Sequence, residues 1–347
     1  MKKLIVLLCL LLTLCTVASA DTLTISMVGD CTVGEQYCYR GYQSGFCYKI
    51  SQRGLDYPFS LAADLFAADD LTLANCEGAF TTRYPGKNAK AMTLGASPDF
   101  AQVFVLGNVD VCNTANNHGR DFGAKGLEDT HATLNALGIT TFGEDVTAIR
   151  EVKGVKIGFV GYTYPITDQK LNWYKKAIEQ LRADGATFVI ASAHWGKEES
   201  HAINLQQRTY APKLIDAGAD MVYGHGAHVL QPIQIYKGKL IFYGLANFTF
   251  GANSAPKDDD TVVVQVTFDI QEDGTLTPAE LNAIPYKMHM KKDFRPWPLE
   301  DQEAKEKVWK KLVFTKKRDP DSGLPDSFLT TGYADLRAIL QEEPAQE

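Results

Sequence analysis

Residues 109–137 read V-D-V-C-N-T-A-N-N-H-G-R-D-F-G-A-K-G-L-E-D-T-H-A-T-L-N-A-L. Val109 to Thr114 has the length and composition of a buried strand, and it stops on the polar cluster Ala115-Asn116-Asn117-His118. Gly126 to Leu137 then places Leu127, Thr130, Leu134 and Leu137 near one face of a helix. Strand, polar turn and helix recur in that order, and the recurrence decides the fold class. Leu23 to Val28 ends at Gly29-Asp30, and Leu71 to Ala74 ends at Asn75-Cys76-Glu77-Gly78. Phe188 to Ala193 ends at His194-Trp195-Gly196, and Met221 to Tyr223 ends at Gly224-His225-Gly226-Ala227-His228. Helical patterns over Leu171 to Ala183 and Leu205 to Ala217 lie between them. Alternating strands and helices predict a layered α/β fold. Ligand sites in such folds gather beyond the carboxyl ends of the strands. The Asp, Glu, Asn and His at these strand ends are therefore expected to meet at one edge.

The remaining segments read as β-rich or accessory. Val152 to Thr163 predicts a hairpin turning at Lys153-Gly154, and Gln234 to Tyr243 another turning at Lys237-Gly238. Val262 to Ile270 alternates and then turns at Glu272-Asp273-Gly274. Residues 298–347 are charged and read as a partly helical extension of a domain spanning 21–297. There is no internal repeat and no low-complexity linker.

The first twenty residues have the pattern of an export leader. Lys2 and Lys3 precede the apolar run Leu4 to Val17, and Ala18-Ser19-Ala20 is a small-residue cleavage site. The mature chain is expected to start at Asp21 and to be periplasmic or extracellular. The alternative is a membrane anchor over residues 4–20, although the run is short for a span. The chain has 35 basic and 42 acidic side chains, net charge −7, and loss of Lys2 and Lys3 makes it more acidic still. That balance argues against a nucleic-acid partner. A small anionic ligand remains compatible with it, because a metal can supply positive charge locally. Beyond the leader the cysteines are Cys31, Cys38, Cys47, Cys76 and Cys112, an odd set. Export permits disulfides. A Cys38–Cys47 bond is expected across the loop that follows the first strand, with pairings among Cys31, Cys76 and Cys112 as competitors. That loop also carries Tyr39 and Tyr42, candidates for a substrate-binding rim.

Asp and Glu are hard oxygen ligands and His is the commonest nitrogen ligand, so the mixed set suits Mn, Fe or Zn better than Ca or Mg. A metal held this way polarises a phosphoryl oxygen and lowers the pKa of a bound water; two metals clamp both oxygens of an in-line displacement. Spacing along the chain leaves the number of ions open.

These residues also carry a resemblance. Thr114 to Thr130 resembles the A-N-N-H-x-x-D-x-G-x-x-G-L-x-x-T signature of CapA proteins. Gly29-Asp30, Asn75-x-Glu77-Gly78, His194-Trp195-Gly196-x-Glu198 and the segment from Leu214 to Phe250 resemble the other family motifs in order. CapA proteins, known for poly-γ-glutamate capsule biosynthesis, are similar to calcineurin-like metallophosphoesterases. The resemblance implies a four-layer α/β sandwich of two packed sheets with helices outside. It implies metal ligation by Asp30, Glu77, Asn117, His194 and His228, with Asn75 a less favoured alternative to Glu77 as the bridging ligand. His118 would be the proton donor to the leaving group. Two departures stand out. Thr32 replaces the His of the superfamily's Asp-x-His motif, and Gly226 stands where a metal-binding His is usual, with His225 one residue away as the candidate substitute. Asn75, Asp121, Glu198 and Asn247 are candidate substrate contacts within the same motifs. The implied function is an exported capsule or cell-envelope protein, either a metal-dependent hydrolase of a phosphoester or related bond, or a non-hydrolytic accessory that binds an anionic polymer such as poly-γ-glutamate. Membrane-bound polymer-synthase subunits are candidate partners.

Overall fold

The apolar run after the leader forms β1 (Thr22–Thr32), and later runs form β2 (Leu71–Cys76), β3 (Val111–Asn113) and β4 (Thr140–Phe142). In this computed structural model, which describes residues 21–37, 40–86, 90, 92–252, 256–288, 293–315 and 319–342, these four strands lie side by side and parallel. A second set opens with the hairpin β5 (Ala148–Val152) and β6 (Val155–Thr163). It continues with β7 (Phe188–His194), β8 (Met221–His225) and the hairpin β9 (Ile233–Tyr236) and β10 (Lys239–Phe242). Both hairpins turn where expected. Lys153 and Gly154 have φ of 50° and 79°, and Lys237 and Gly238 have 52° and 70°, the signs a two-residue hairpin turn needs. This sheet has six strands in the order β9-β10-β8-β7-β6-β5.

The chain then returns to the first sheet. β11 (Asn247–Phe250) pairs with the far end of β1, while β12 (Asp260–Ile270) pairs antiparallel with the near end of the same edge, opposite β2, and β13 (Leu276–Met288) extends the sheet beyond it. β14 (Pro296–Pro298) and β15 (Tyr333–Asp335) both pair with β13, completing nine strands.

Strand alternation explains the stacking. Leu23, Ile25 and Met27 of β1 share one core with Ile157, Phe159, Ile190, Met221 and Tyr223 of the second sheet. The other face of the first sheet, with Val28, Ala74 and Cys112, packs under Leu134 of α1 (Gly123–Ala136) and the short helices before it. The outer face of the second sheet, with Val160, Val189 and Val222, packs under α2 (Asp168–Ala183) and α3 (Leu205–Asp216). The result is helix, sheet, sheet, helix: the four-layer sandwich that the resemblance implied. Helix α2 starts earlier than its apolar pattern does, because Thr167 accepts a hydrogen bond from the backbone of Lys170 and caps the first turn. The charged C-terminal stretch is tied to the same core. Val308 and Trp309 of α4 (Gln302–Lys311), with Leu312, Phe328 and Leu336, lie in the inter-sheet cluster. The Trp309 indole donates to the Ala283 carbonyl at 2.8 Å.

A small three-stranded sheet was not foreseen. Glu35–Gln36 and Ala79–Phe80 flank Leu94–Ala96, so chain leaving the ends of β1 and β2 is gathered beside the first sheet. The leader, residues 1–20, lies outside the described residues; among those described, no helix is long and apolar enough to cross a membrane.

Candidate metal centre

Register alone lines up most of the site. Asp30 of β1 stands opposite Asn75 of β2 on one side and Asn247 of β11 on the other, and Asn75 stands opposite Asn113 of β3. In the facing sheet His194 of β7 stands opposite His225 of β8. The register of β1 slips between Met27 and Asp30. Val28 and Cys31 therefore both belong to the outer core, and Asp30 turns inward toward the facing sheet.

Asp30 is fully buried and engages both carboxylate oxygens. Oδ1 accepts from Asn75 Nδ2 at 2.7 Å and lies 3.7 Å from His225 Nδ1 and 3.9 Å from His194 Nδ1. Oδ2 accepts from the Gly226 backbone at 3.1 Å and is 3.2 Å from His228 Nδ1. His194 Nδ1 and His225 Nδ1 approach to 2.8 Å, and Ser192 Oγ holds the other side of the His225 ring at 2.8 Å from Nε2. His228 follows on the loop after β8 with φ of 58°, a backbone conformation costly for a non-glycine residue and concentrated at functional sites. Asn247 Oδ1 accepts from its Nδ1 at 2.8 Å.

Glu77 differs from Asp30. It is buried, and neither carboxylate oxygen has a hydrogen-bond partner. Its Oε1 lies 4.0 Å from His118 Nε2, 4.0 Å from His194 Nε2 and 3.9 Å from His228 Nε2, beyond hydrogen-bond reach. Donors each about 2.1 Å from one ion stand about 3–4 Å apart, so these separations fit a shared cation. Two overlapping groups could hold one: Asp30 with His194 and His225, and Asp30 with Glu77 and His228. The orphaned Glu77 oxygens and the mixed O/N donor set both fit a divalent transition metal.

The electrostatics match a cavity built for positive charge. Burial works against the Asp30 carboxylate, but the hydrogen bond and charge of His228 hold it below the ordinary range. Burial dominates at Glu77 and, with the Asp30 charge, pushes it up to about 7. Burial lowers His225 to about 3 and His194 well down, so both rings are neutral and able to coordinate. At His228 burial is outweighed by Glu77 and Asp30, which raise it to about 10.

Several sequence expectations change place. Asn117 is exposed, and among the described residues only its carbonyl is seen engaged by a side chain, Lys90 Nζ at 2.8 Å; the structure does not bring its side chain to the cluster. Its neighbour Asn116 turns inward instead, donating to the Cys76 carbonyl at 2.8 Å and accepting from the His118 backbone at 3.1 Å. The chain bends tightly after β3, so consecutive side chains there face opposite ways. His225 does enter the cluster, and the glycine after it explains why. Gly226 has φ of 101°, and a Cβ there would lie 2.9 Å from the His194 ring, so no histidine fits at 226.

Asp121 and Asn247, expected as substrate contacts, are committed to protein. Asp121 Oδ2 lies 2.6 Å from His118 Nδ1 and accepts from the Leu94 backbone at 2.8 Å. Asn75 is equally occupied, donating to Asp30 and accepting from Asn113 at 2.7 Å and Asn116 at 3.2 Å. Glu198 and Tyr42 are exposed, and the charge of Glu198 bears on Glu77. Tyr39 and Cys38 lie outside the described residues, while Cys47 has a free, half-buried thiol, pushed up to about 12 by burial and by Glu35. Sequence reasoning missed Asn113, Asn116, Ser192 and the Gly226 amide. Asn113 and Ser192 sit inside runs read as plain strand, where only the sheet-to-sheet stacking shows which face meets the histidines.

Residues 24–252 match the family model described as Bacterial capsule synthesis protein PGA_cap. The chain is 28% identical over 313 residues to "PGA biosynthesis protein CapA" of Bacillus subtilis (strain 168), covering 84% of this chain and 77% of that one. It is 27% identical over 320 residues to "Capsule biosynthesis protein CapA" of Bacillus anthracis, covering 84% and 73%. A "Probable polyglutamine synthesis accessory protein" of Mycobacterium tuberculosis is 32% identical over 207 residues, covering 51% of this chain and 54% of its own. The matched span begins on β1 and ends just past β11, so it takes in every strand end that builds the cluster, and the chain belongs to the PGA_cap family of bacterial capsule synthesis proteins.

Proposed function

We propose that this chain is a metal-dependent hydrolase that cuts a phosphoester, or a related ester or amide bond, during assembly of an anionic capsule polymer. Glu77 carries the reading: a buried carboxylate without hydrogen-bond partners, ringed by imidazole nitrogens at 3.9–4.0 Å. Asp30, Glu77, His194, His225 and His228 would hold one or two ions of Mn, Fe or Zn. Such an ion, when bound, polarises a phosphoryl oxygen and lowers the pKa of a coordinated water.

The chain's own groups do the rest. Asn75 and the Gly226 amide hold Asp30 in place, and Asn247 fixes the ring of His228. Asp121 fixes the proton on His118 Nδ1, which turns Nε2 toward the cavity beside Glu77. His118 Nε2 then gives its proton to the leaving oxygen, a general-acid step. Glu198, exposed and near enough for its charge to bear on Glu77, would meet the rest of the substrate. In this reading the leader exports the chain to the cell envelope, where membrane-bound polymer-synthase subunits would be its neighbours.

A non-hydrolytic role, with the metal serving only to dock polymer, is favoured by Thr32. It stands where a further histidine ligand is usual, and its buried hydroxyl has no partner. Elemental analysis of the purified protein, followed by a phosphomonoester and phosphodiester screen with Mn added, separates the two. Turnover that disappears in Glu77→Gln and His118→Ala supports the hydrolase. Bound metal without turnover on any ester supports docking, and a protein that takes up no metal overturns both.

A further inference from the structure

The small three-stranded sheet carries two cations to the rim of the His118 side of the cavity. Leu94, in its middle strand, donates its backbone N–H to Asp121, the partner of His118. Tyr37, just after its first strand, donates its backbone N–H to Thr93 at 2.7 Å, and Thr93 Oγ1 donates to the Lys90 carbonyl at 2.9 Å. Lys90 Nζ reaches Asp121 Oδ1 at 3.3 Å and the Asn117 carbonyl at 2.8 Å, with most of its side chain in solvent.

Arg40 stands on the same wall. Its guanidinium carbon lies 4.7 Å from the Tyr37 ring centre and 5.4 Å from that of Phe122, the residue after Asp121. Tyr37 packs edge-on against both Phe122, at 6.0 Å, and the exposed Tyr84, at 5.4 Å. Ring faces fix a guanidinium in orientation without satisfying its N–H donors. Arg40 makes no ion pair among the described residues, and its Nη2 is buried with no hydrogen-bond partner. Glu35 is the acid that feels its charge, yet Glu35 Oε1 is itself buried and unpaired. A ring-held guanidinium with one orphaned nitrogen, and an exposed ammonium at Asp121, the residue before Phe122, are a local exception to the charge balance in a chain of net charge −7.

We propose that Arg40 and Lys90 form an oxyanion subsite next to the His118–Asp121 pair, taking an anionic group of the substrate one unit away from the bond that is cut. This rests on the hydrolase or docking reading above for its substrate, but its test reads binding, not turnover. The oxyanion could be a carboxylate of an acidic polymer or a second phosphate. The planar fork of Arg suits a carboxylate in two-point contact, whereas Lys acts as a point charge on either.

The test uses the full-length mature chain loaded with Mn, and titrates a short oligoglutamate and glycerol 3-phosphate separately by calorimetry at fixed ionic strength. Arg40→Gln is expected to weaken at least one probe about tenfold or more, with metal content and circular dichroism unchanged. Arg40→Lys keeps the stem over Tyr37 and the charge while losing the fork, and guards against a loop that fails to fold in Arg40→Gln. Loss confined to oligoglutamate in both variants assigns a carboxylate; loss confined to glycerol 3-phosphate assigns a phosphate. Wild-type affinity for both probes in the Arg40→Gln, Lys90→Met double variant, or no binding of either probe to the wild type, overturns the subsite whether or not the protein hydrolyses anything.

Discussion

Gly226→Ala should damage metal binding through geometry alone. The substitution leaves every donor atom of the cluster in the chain. A Cβ at 226 would sit 2.9 Å from Cδ2 and Nε2 of His194 and 3.0 Å from its Cε1, so the ring must retreat by about half an ångström to reach ordinary contact. Retreat is opposed by His225, whose Nδ1 already stands 2.8 Å from His194 Nδ1. The backbone at 226 also has φ of 101°, a conformation that costs a non-glycine residue about 1–3 kcal/mol. Overpacking adds about 1–3 kcal/mol. The expected loss of about 2–6 kcal/mol, at about 2–4 °C per kcal/mol in a large domain, lowers Tm by about 4–24 °C in metal-free buffer. Displacing one ligand ring should weaken Mn or Zn affinity by about 10–100-fold, as loss of ligand orientation does elsewhere. Gly138→Ala supplies the control. It has φ of 84° and open space around its Cβ, so it carries the backbone cost without touching a ligand. Scanning calorimetry in chelator, paired with competitive metal titration, separates the two effects. If Gly226→Ala binds metal as tightly as Gly138→Ala does, the argument that Gly226 makes room for His194 is wrong.

Alanine at Asp30, His194 or His228 should lower bound transition metal in elemental analysis while far-UV circular dichroism holds, because the apolar core lies elsewhere; unchanged metal in all three would remove the site. His118→Ala should keep its metal and lose about 10²–10⁴-fold in turnover on a substrate with a poor leaving group. Asp121→Asn should lose about 10–100-fold through misorientation of the same ring, and a normal rate in either variant would count against the proton-donor role. His201 donates to the Leu230 carbonyl at 2.8 Å and meets Asp258 at 3.0 Å, and Asp258 raises its pKa against burial. This raised histidine contributes stability that is fully present below about pH 6.5 and is lost as pH rises through the folded value. An NMR titration should place the His201 midpoint above 6.5, and Asp258→Asn should move it down; an unmoved midpoint would dismiss the pair.

Much of this site could be read locally. Short apolar runs that stop on polar residues located Asp30, Glu77, His118, His194 and His228, because a strand has to end where its apolar pattern ends and parallel strands end at one edge. The two-residue turns at Lys153-Gly154 and Lys237-Gly238 were equally legible, since backbone sign there is a property of two adjacent residues. Motif order along residues 24–250 carried the family, which needs no coordinates.

Direction and company were different matters. Asn116 and Asn117 are adjacent and chemically identical, and only the bend after β3 turns one inward and leaves the other in solvent. His225 stands one residue from the usual ligand position, and it reaches the cluster because Gly226 lets His194 pack against the backbone. Asp121 and Asn247 look like free polar contacts in the chain, yet they hold the rings of His118 and His228. Arg40 gains its place from the rings of Tyr37 and Phe122, far apart in sequence. The physical reason is common to all four. Strand and turn propensities depend on neighbours along the chain, whereas the partner of a buried polar group is set by whichever segment the packing of two sheets brings within about 3 Å of it.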